Sequence, residues 1–183
     1  MYHPLSGFKD AVSGIMEVRM SQGFVQIFAG DGRGKTGAAI GQGVKAAGAG
    51  KSVVIIQFLK GKPAGEFEMI RRLEPEMKLF SFEKSEECFF ELSEERKHEE
   101  IQNIRNGINF AKKVLATGEC DLLILDEILG LLDNQIIGID DLRAIVDAKP
   151  EEAGIIMTGI HIREDVCQMA DEVTELKTIV QKS

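Results

Sequence analysis

Residues 24–48 read FVQIFAGDGRGKTGAAIGQGVKAAG, and this stretch decides the fold. The apolar run at 24–29 predicts a buried strand, a glycine-rich turn follows it, and small residues typical of a packed helix come next. A strand, a glycine-rich turn ending in Gly-Lys-Thr and a helix occur here in the order that a phosphate-binding P-loop requires. The sequence therefore predicts a P-loop at residues 29–36.

The residue types of this loop suit the triphosphate of ATP. Glycines let backbone N–H groups approach phosphate oxygens, and the helix N-terminus adds the positive end of its dipole. Lys35 would supply a positive charge to the phosphates, and the Thr36 hydroxyl would ligate a bridging Mg²⁺. The expected ATP-binding set is Gly30, Asp31, Gly32, Arg33, Gly34, Lys35, Thr36 and Gly37.

The same residues allow two interpretations other than a P-loop. Ala29 stands at the first position of the eight-residue pattern, where Gly is usual, so the glycines could form only a tight structural turn. Gly30-x-Gly32 also begins a dinucleotide fingerprint, but the third small position of that pattern would be Lys35. Lys35 and Thr36 in the required places favour the P-loop.

The segment DLLILDE at 121–127 supplies the expected second half of the site, an acidic residue ending a buried strand. Asp126 would hold Mg²⁺ directly or through water, and Glu127 would orient a reacting group or contact the metal. We therefore expect Thr36, Asp126 and Glu127 as metal ligands, and Lys35 and Glu127 as catalytic residues. An Asp-Glu pair alone is often only a strand end or a helix cap. These motifs leave open whether the nucleotide is hydrolysed, transfers a phosphoryl group or reacts elsewhere.

Short apolar runs alternate with helical patterns along the chain. Strands are predicted at 24–29, 52–58, 78–82, 121–126 and 154–158, and they look buried on both faces. The clearest helix is predicted at 94–117, with Ser93 as its cap and Gly118 at its end. This alternation predicts an α/β P-loop NTPase fold of the RecA-like type, a mostly parallel sheet with helices on both faces.

Length and composition limit the function classes. At 183 residues we expect one P-loop domain at 23–183, preceded by an N-terminal arm at 1–22. The net charge of −8 disfavours nucleic acid as a partner. Neither an apolar run of membrane-spanning length nor a secretory signal is present, which predicts a cytoplasmic protein. The three cysteines are far apart in the sequence and form no CxxC pair, so we expect them to be reduced thiols: Cys88, Cys120 and Cys167.

Several segments together resemble the P-loop type ATP:corrinoid adenosyltransferases, whose substrates are cob(I)alamin, cobinamide and cobyrinic acid diamide. The matching segments span residues 22–180 approximately: GDGRGKTGAA at 30–39, KSVVIIQFLKG at 51–61, LLILDEI at 122–128, and MTG with ADEVTELK between 157 and 177. The last segment and QFLKG are the most particular to the family. The resemblance implies that the Co(I) of a corrinoid attacks the ribose C5′ of ATP and triphosphate leaves, as in adenosylcobalamin biosynthesis or salvage.

The resemblance also implies Mg²⁺ as cofactor, a homodimer and a flavoprotein as electron donor. Residues 1–22 would close over the corrinoid as a lid, the alternative being a poorly ordered tail. Phe58, Leu59 and Lys60 would contact the corrinoid because they follow a strand's carboxyl end, where open α/β sheets bind ligands; their alternative role is packing.

The sequence departs from the family at two places. After Thr158-Gly159 the family usually has Arg, whereas this chain has Ile160, and His161 or Arg163 could substitute for a lost contact. The aromatic stretch that commonly carries Trp is replaced by SFEKSEECFFE at 81–91, and the chain has no Trp. The alternatives left open are therefore a generic P-loop NTPase or small-molecule kinase, and a nucleotide or corrinoid carrier without turnover.

Overall fold

A computed structural model describes residues 22–59, 69–82, 84, 85, 87 and 89–181. The strands of the described residues are β1 (Val25–Ala29), β2 (Val53–Gln57), β3 (Met77–Ser81), β4 (Leu122–Asp126), β5 (Gly154–Thr158) and β6 (Glu172–Glu175). The helices are α1 (Lys35–Gly48), α2 (Glu94–Ala116), α3 (Ile128–Asp133), α4 (Ile139–Asp147) and α5 (Glu164–Cys167), with 3₁₀ turns at Arg71–Leu73 and Phe89–Glu91. Most of the expected N-terminal arm lies outside the described residues.

The strands form one sheet in the order β3-β2-β4-β5-β1-β6. Every neighbouring pair is parallel, so all the carboxyl ends lie at one edge. The loop after β1 therefore starts beside the ends of β5 and β6, with the end of β4 one strand further away. The predicted parallel sheet is confirmed.

Helices cover both faces of the sheet, as predicted. On one face, α2, α3 and α4 pack through Ile104, Leu129 and Leu142 against inward-facing residues of the strands. On the other face, α1 presents Ala39 and Ala46 to a second cluster from the same strands. The small residues of α1 let this helix lie close to the sheet, which positions its N-terminus above the strand ends.

The predicted bounds agree with the structure within one residue. Strand β5 has the predicted bounds, and α2 ends at Ala116, one residue before the expected end. Ser93 caps α2 as predicted, because its side chain accepts a hydrogen bond from the Arg96 N–H. No described helix is both long and apolar enough to cross a membrane.

Two expectations about the strands were incomplete or wrong. Strand β6 was not predicted, because its sequence Glu-Val-Thr-Glu is polar and its residues are half-buried or exposed. Burial on both faces holds for β2, β4 and β5, but it is wrong for β3, whose Lys78 and Ser81 are exposed. Strand β3 is an edge strand, so one of its sides has no neighbouring strand to cover it.

Candidate active site

Two glycines of the P-loop are required by the chain that passes next to them. Gly30 has φ of 116°, a left-handed conformation, and a Cβ there would lie 2.3 Å from the Leu176 carbonyl oxygen. At Gly32 a Cβ would lie 2.6 Å from the same oxygen. The segment after β6 thus packs directly against the loop, and larger residues at these positions would displace it.

The loop's first amides pair with neighbouring segments of the protein. The Gly30 N–H donates to the Ile160 carbonyl at 2.9 Å, and the Gly32 N–H donates to the Leu176 carbonyl at 2.9 Å. The Arg33 N–H donates to the Thr178 hydroxyl at 3.4 Å. The Gly30 and Gly32 N–H groups, predicted to bind phosphate, are thus paired with Ile160 and Leu176 in this structure.

The N-terminus of α1 offers a different group of donors. Its first backbone hydrogen bond runs from the Ala38 N–H to the Gly34 carbonyl at 2.7 Å. The N–H groups of residues 35–37 belong to the first turn, which precedes that bond. The N–H groups of a first turn lie at the positive end of the helix dipole, which suits an anion.

Lys35 lies at the centre of the loop. Its ammonium donates to the Gly30 carbonyl at 2.7 Å and to the Gly32 carbonyl at 2.9 Å. These two contacts hold a positive charge inside the curve of the loop. The charge therefore lies beside the first turn of α1, where an anion would bind.

The acidic end of β4 meets the P-loop, as the sequence predicted. The Thr36 hydroxyl donates to Asp126 Oδ1 at 2.8 Å, although the two residues are 90 positions apart. Thr158, at the end of β5, donates its hydroxyl to the same oxygen at 2.8 Å. Asp126 is only 1% exposed, so two hydroxyl groups fix a carboxylate that is largely shielded from water. This set of oxygen atoms has the chemistry that Mg²⁺ prefers.

Glu127 follows in a left-handed conformation, with φ of 62°. Its N–H donates to the Thr158 hydroxyl at 2.8 Å, so Thr158 joins Asp126 and Glu127 in one network. A non-glycine residue with positive φ is strained and is held by its surroundings. The strain directs the chain sharply from β4 into α3 and places Glu127 at the carboxyl edge of the sheet.

The sequence did not identify Thr158 or Gln57 as site residues. Gln57 ends β2 and lies in register with Asp126 on β4. It is completely buried, and among the described residues neither amide atom has a hydrogen-bond partner. The signal that could have found both residues is a single polar residue ending an otherwise apolar strand, the pattern that identified Asp126.

The three residues expected to contact a corrinoid differ in position. Phe58 is only 1% exposed, and its ring lies 2.9 Å from where a Cβ on Gly107 of α2 would stand, which supports the packing role. Leu59 is half-buried and has φ of 56°, a second strained residue at the same edge of the sheet. Lys60 lies outside the described residues.

His161 and Arg163 pair with carboxylates on the surface. His161 Nδ1 lies 2.8 Å from Asp133 Oδ2, and Arg163 Nε donates to Asp165 Oδ1 at 3.0 Å. The hydrogen bond with Asp165 raises the pKa of Arg163, and the same bond lowers the pKa of the Asp165 carboxyl. These local pairs do not favour either residue as a substitute for the family's usual Arg.

The free thiols agree with the expectation from the sequence, as far as they are described. Cys120 is buried and Cys167 is half-buried, and both are free. Burial, followed by the nearby charges of Asp121 and Glu119, raises the pKa of Cys120 from 9.0 to about 12. Cys120 therefore stays protonated near neutral pH, which suits a packing role. Cys88 lies outside the described residues.

A cavity of about 230 Å³ lies at the opposite edge of the sheet, between the start of the strands and α1. Its walls include Phe24, Ala46, Lys51 and Asp121. Phe24 precedes β1 and Asp121 precedes β4, so the cavity is separated from Lys35 by the length of the strands. The P-loop instead follows the carboxyl end of β1, at the other edge of the sheet.

Comparison with known proteins was consistent with this geometry. A family model described as ATP:corrinoid adenosyltransferase BtuR/CobO/CobP matches residues 21–182. A corrinoid adenosyltransferase of Escherichia coli (strain K12) is 28% identical over 166 residues, which cover 90% of this chain and 82% of that protein. The corrinoid adenosyltransferase CobA of Salmonella typhimurium (strain LT2) is 28% identical over 173 residues, which cover 93% of this chain and 85% of that protein.

Among solved structures, the KaiC-like protein PH0186 from Pyrococcus horikoshii OT3 has a similar fold. Its TM-score is 0.54 at 15% sequence identity, and the match covers 86% of this chain and 74% of that protein. At that identity the likeness concerns the fold alone. It agrees with the RecA-like arrangement of the sheet and its P-loop.

Proposed function

The chain belongs to the ATP:corrinoid adenosyltransferase family, and from that membership we propose which of its residues carry the reaction. The enzyme transfers the 5′-deoxyadenosyl group of ATP to the Co(I) of a corrinoid and releases triphosphate. A generic NTPase or kinase is not favoured. The observation that carries the assignment of residues is the 2.8 Å hydrogen bond between Thr36 and Asp126, which joins the P-loop to the acidic strand end.

In this reaction the leaving group is the triphosphate, so negative charge grows on its oxygens as the C5′–O bond breaks. Lys35 and the N–H groups of residues 35–37 would stabilise that charge, because they lie together at the first turn of α1. Lys35 would exchange its contacts with the Gly30 and Gly32 carbonyls for phosphate oxygens. Gly34 and Gly37 let the nucleotide approach the backbone, and the exposed Asp31 and Arg33 border the same surface.

We assign the Mg²⁺ site to Thr36 and Asp126, with Glu127 as the third residue. The first two supply oxygen atoms that already lie together, and Glu127 follows Asp126 directly. When bound, Mg²⁺ would neutralise part of the charge of the triphosphate. Glu127 follows the last residue of β4 at the carboxyl edge of the sheet, which fits a role in orienting the reacting groups.

The corrinoid would bind past the carboxyl end of β2, beside Leu59 and Lys60. Leu59 is half-buried there, whereas the buried ring of Phe58 packs against α2 at Gly107 and would not touch the substrate. Since Co(I) is a strong nucleophile, the protein's task is to align it with C5′ and to exclude water. The N-terminal arm at 1–22 would assist as a lid over this edge of the domain at 23–183.

We also propose that this chain forms a homodimer, that a flavoprotein reduces its corrinoid substrate, and that the protein is located in the cytoplasm. The acidic net charge of −8 would suit docking to a basic surface of such a reductant.

The proposal is tested by calorimetry with Mg²⁺-ATP and by the absorbance of chemically reduced cobalamin after ATP is added. The wild type should bind the nucleotide and convert the corrinoid spectrum to that of an alkylated cobalt. Lys45→Ala is a matched control, because Lys45 is an exposed lysine in the last turn of the same helix as Lys35. A spectrum that stays unchanged under verified reduction, with the protein folded, would contradict the proposed function.

A further inference from the structure

Gln57 is the one fully buried polar side chain of the described residues whose polar atoms lack a hydrogen-bond partner there. A buried carboxamide without partners costs roughly 1–3 kcal/mol, because its donor and its acceptor have both lost water. An apolar residue would fill the same place at the end of an apolar strand without that cost. The position therefore calls for an explanation other than packing.

The side chain of Gln57 leaves the sheet on the face that carries α1. Side chains alternate along a strand, and Val53 and Ile55 belong to the cluster that packs against Ala39 and Ala46 of α1. Gln57 has the same parity as these two residues. Asp126 lies on that face too, since its carboxylate contacts Thr36 of α1.

Gln57 and Asp126 are adjacent across the sheet. Their Cα atoms are register partners in the β2–β4 pair, at the carboxyl edge of both strands. Thr158 extends the same row on β5 and donates to the Asp126 carboxylate. The row Gln57–Asp126–Thr158 thus lies below the N-terminus of α1, and Gln57 is the member whose side chain has no described partner.

We propose that the Gln57 carboxamide is a positioning residue for the Mg²⁺–triphosphate group of ATP. The proposal rests on the proposed function, since it presumes that this group binds beside Asp126. A carboxamide needs both a donor and an acceptor to satisfy its two polar atoms. A hydrated cation with its triphosphate offers both, because water on a cation donates to Oε1 and a phosphate oxygen accepts from Nε2. Apolar packing offers neither.

The test is Gln57→Met, which keeps the length of the side chain and removes its polar atoms. Without nucleotide the variant should melt at the wild-type temperature or higher, because the unpaired amide is gone. Its affinity for Mg²⁺-ATP by calorimetry should fall about tenfold, as expected for the loss of buried hydrogen bonds. Its affinity for ATP in the presence of a chelator should change much less.

Gln26→Met is the matched control. Gln26 is a half-buried glutamine near the start of β1, and its side-chain NH₂ donates to Glu172 Oε1 at 2.8 Å. This variant should keep wild-type affinity for Mg²⁺-ATP. Wild-type affinity in Gln57→Met, or a lower melting temperature with unchanged nucleotide binding, would overturn the proposal and leave Gln57 a structural residue.

A second readout covers the case in which Gln57→Met does not fold. In ¹⁵N-glutamine-labelled wild type, the side-chain NH₂ resonance of Gln57 should shift on addition of Mg²⁺-ATP and shift less with ATP and chelator. An unchanged resonance at saturating Mg²⁺-ATP would overturn the proposal. If the wild type bound no Mg²⁺-ATP at all, the proposed function itself would fail, which separates the two ideas.

Discussion

Thr158→Val is the substitution that tests the site network most sharply. Valine has nearly the shape of threonine, and Thr158 is completely buried, so the change removes the hydroxyl with little change in packing. That hydroxyl donates to Asp126 Oδ1 and accepts from the Glu127 N–H, both at 2.8 Å. Losing it leaves the Glu127 N–H without this acceptor and removes a donor from the buried Asp126 carboxylate.

The size of the effect follows from these two bonds. Each buried hydrogen bond contributes about 1–1.5 kcal/mol and leaves a desolvated partner when broken, so the free energy of unfolding should fall by about 3 kcal/mol. For a chain of this length, that corresponds to a melting temperature lower by roughly 6–12 °C. The strained conformation of Glu127 should also relax, so turnover should fall as well.

Urea unfolding and thermal melting measure the effect on stability. Thr158→Ser keeps the hydroxyl and should recover most of the lost stability. Thr174→Val makes the same chemical change on β6, where the side chain is half-buried, and serves as the control. A Thr158→Val variant within about 0.5 kcal/mol of the wild type, with normal turnover, would show that the network is not needed to hold the strand ends.

Three further outcomes are expected. Lys35→Ala should lower the rate of triphosphate release by at least two orders of magnitude, because it removes a positive charge that faces a developing anion. Lys45→Ala should leave that rate unchanged. Rapid-quench measurement of released triphosphate gives the rate for both variants. Asp126→Asn should raise the Mg²⁺ concentration needed for half-maximal turnover while the protein remains folded, and an unchanged Mg²⁺ titration would mean that the strand end is only structural. The free energy of unfolding should fall between pH 9 and 12, because the unfolded chain loses the Cys120 proton there whereas the folded chain, in which the pKa of Cys120 is raised to about 12, keeps it. Mass spectrometry after alkylation near neutral pH should accordingly find Cys167 modified before Cys120. The reverse order would contradict the burial of Cys120.

Most of the sheet was predictable because its strands are buried. Strands β2, β4 and β5 are buried on both faces, so nearly all their residues are apolar and form continuous apolar runs in the sequence. Strand β6 leaves no such run, since it lies at an edge and carries Glu at both ends. Its pairing with β1 depends on backbone hydrogen bonds, which the side chains do not reveal.

The site was predictable where local chemistry identifies it. Gly-Lys-Thr and an acidic strand end have recognisable spacing, and the structure joins them through Thr36 and Asp126. The engagement of the Gly30 and Gly32 amides was not predictable, because their acceptors come from Ile160 and Leu176, more than a hundred residues later. Gln57 was overlooked for a similar reason: its importance follows from burial and register, which only the fold provides.

The product balance of a single incubation with ATP, Mg²⁺ and reduced corrinoid distinguishes adenosyl transfer from nucleotide hydrolysis. If the groups around Lys35 stabilise a departing triphosphate, we expect one inorganic triphosphate for each adenosylated corrinoid, and no nucleotide cleavage when the corrinoid is omitted. ADP and orthophosphate formed without any corrinoid, with no triphosphate detected, would contradict this expectation.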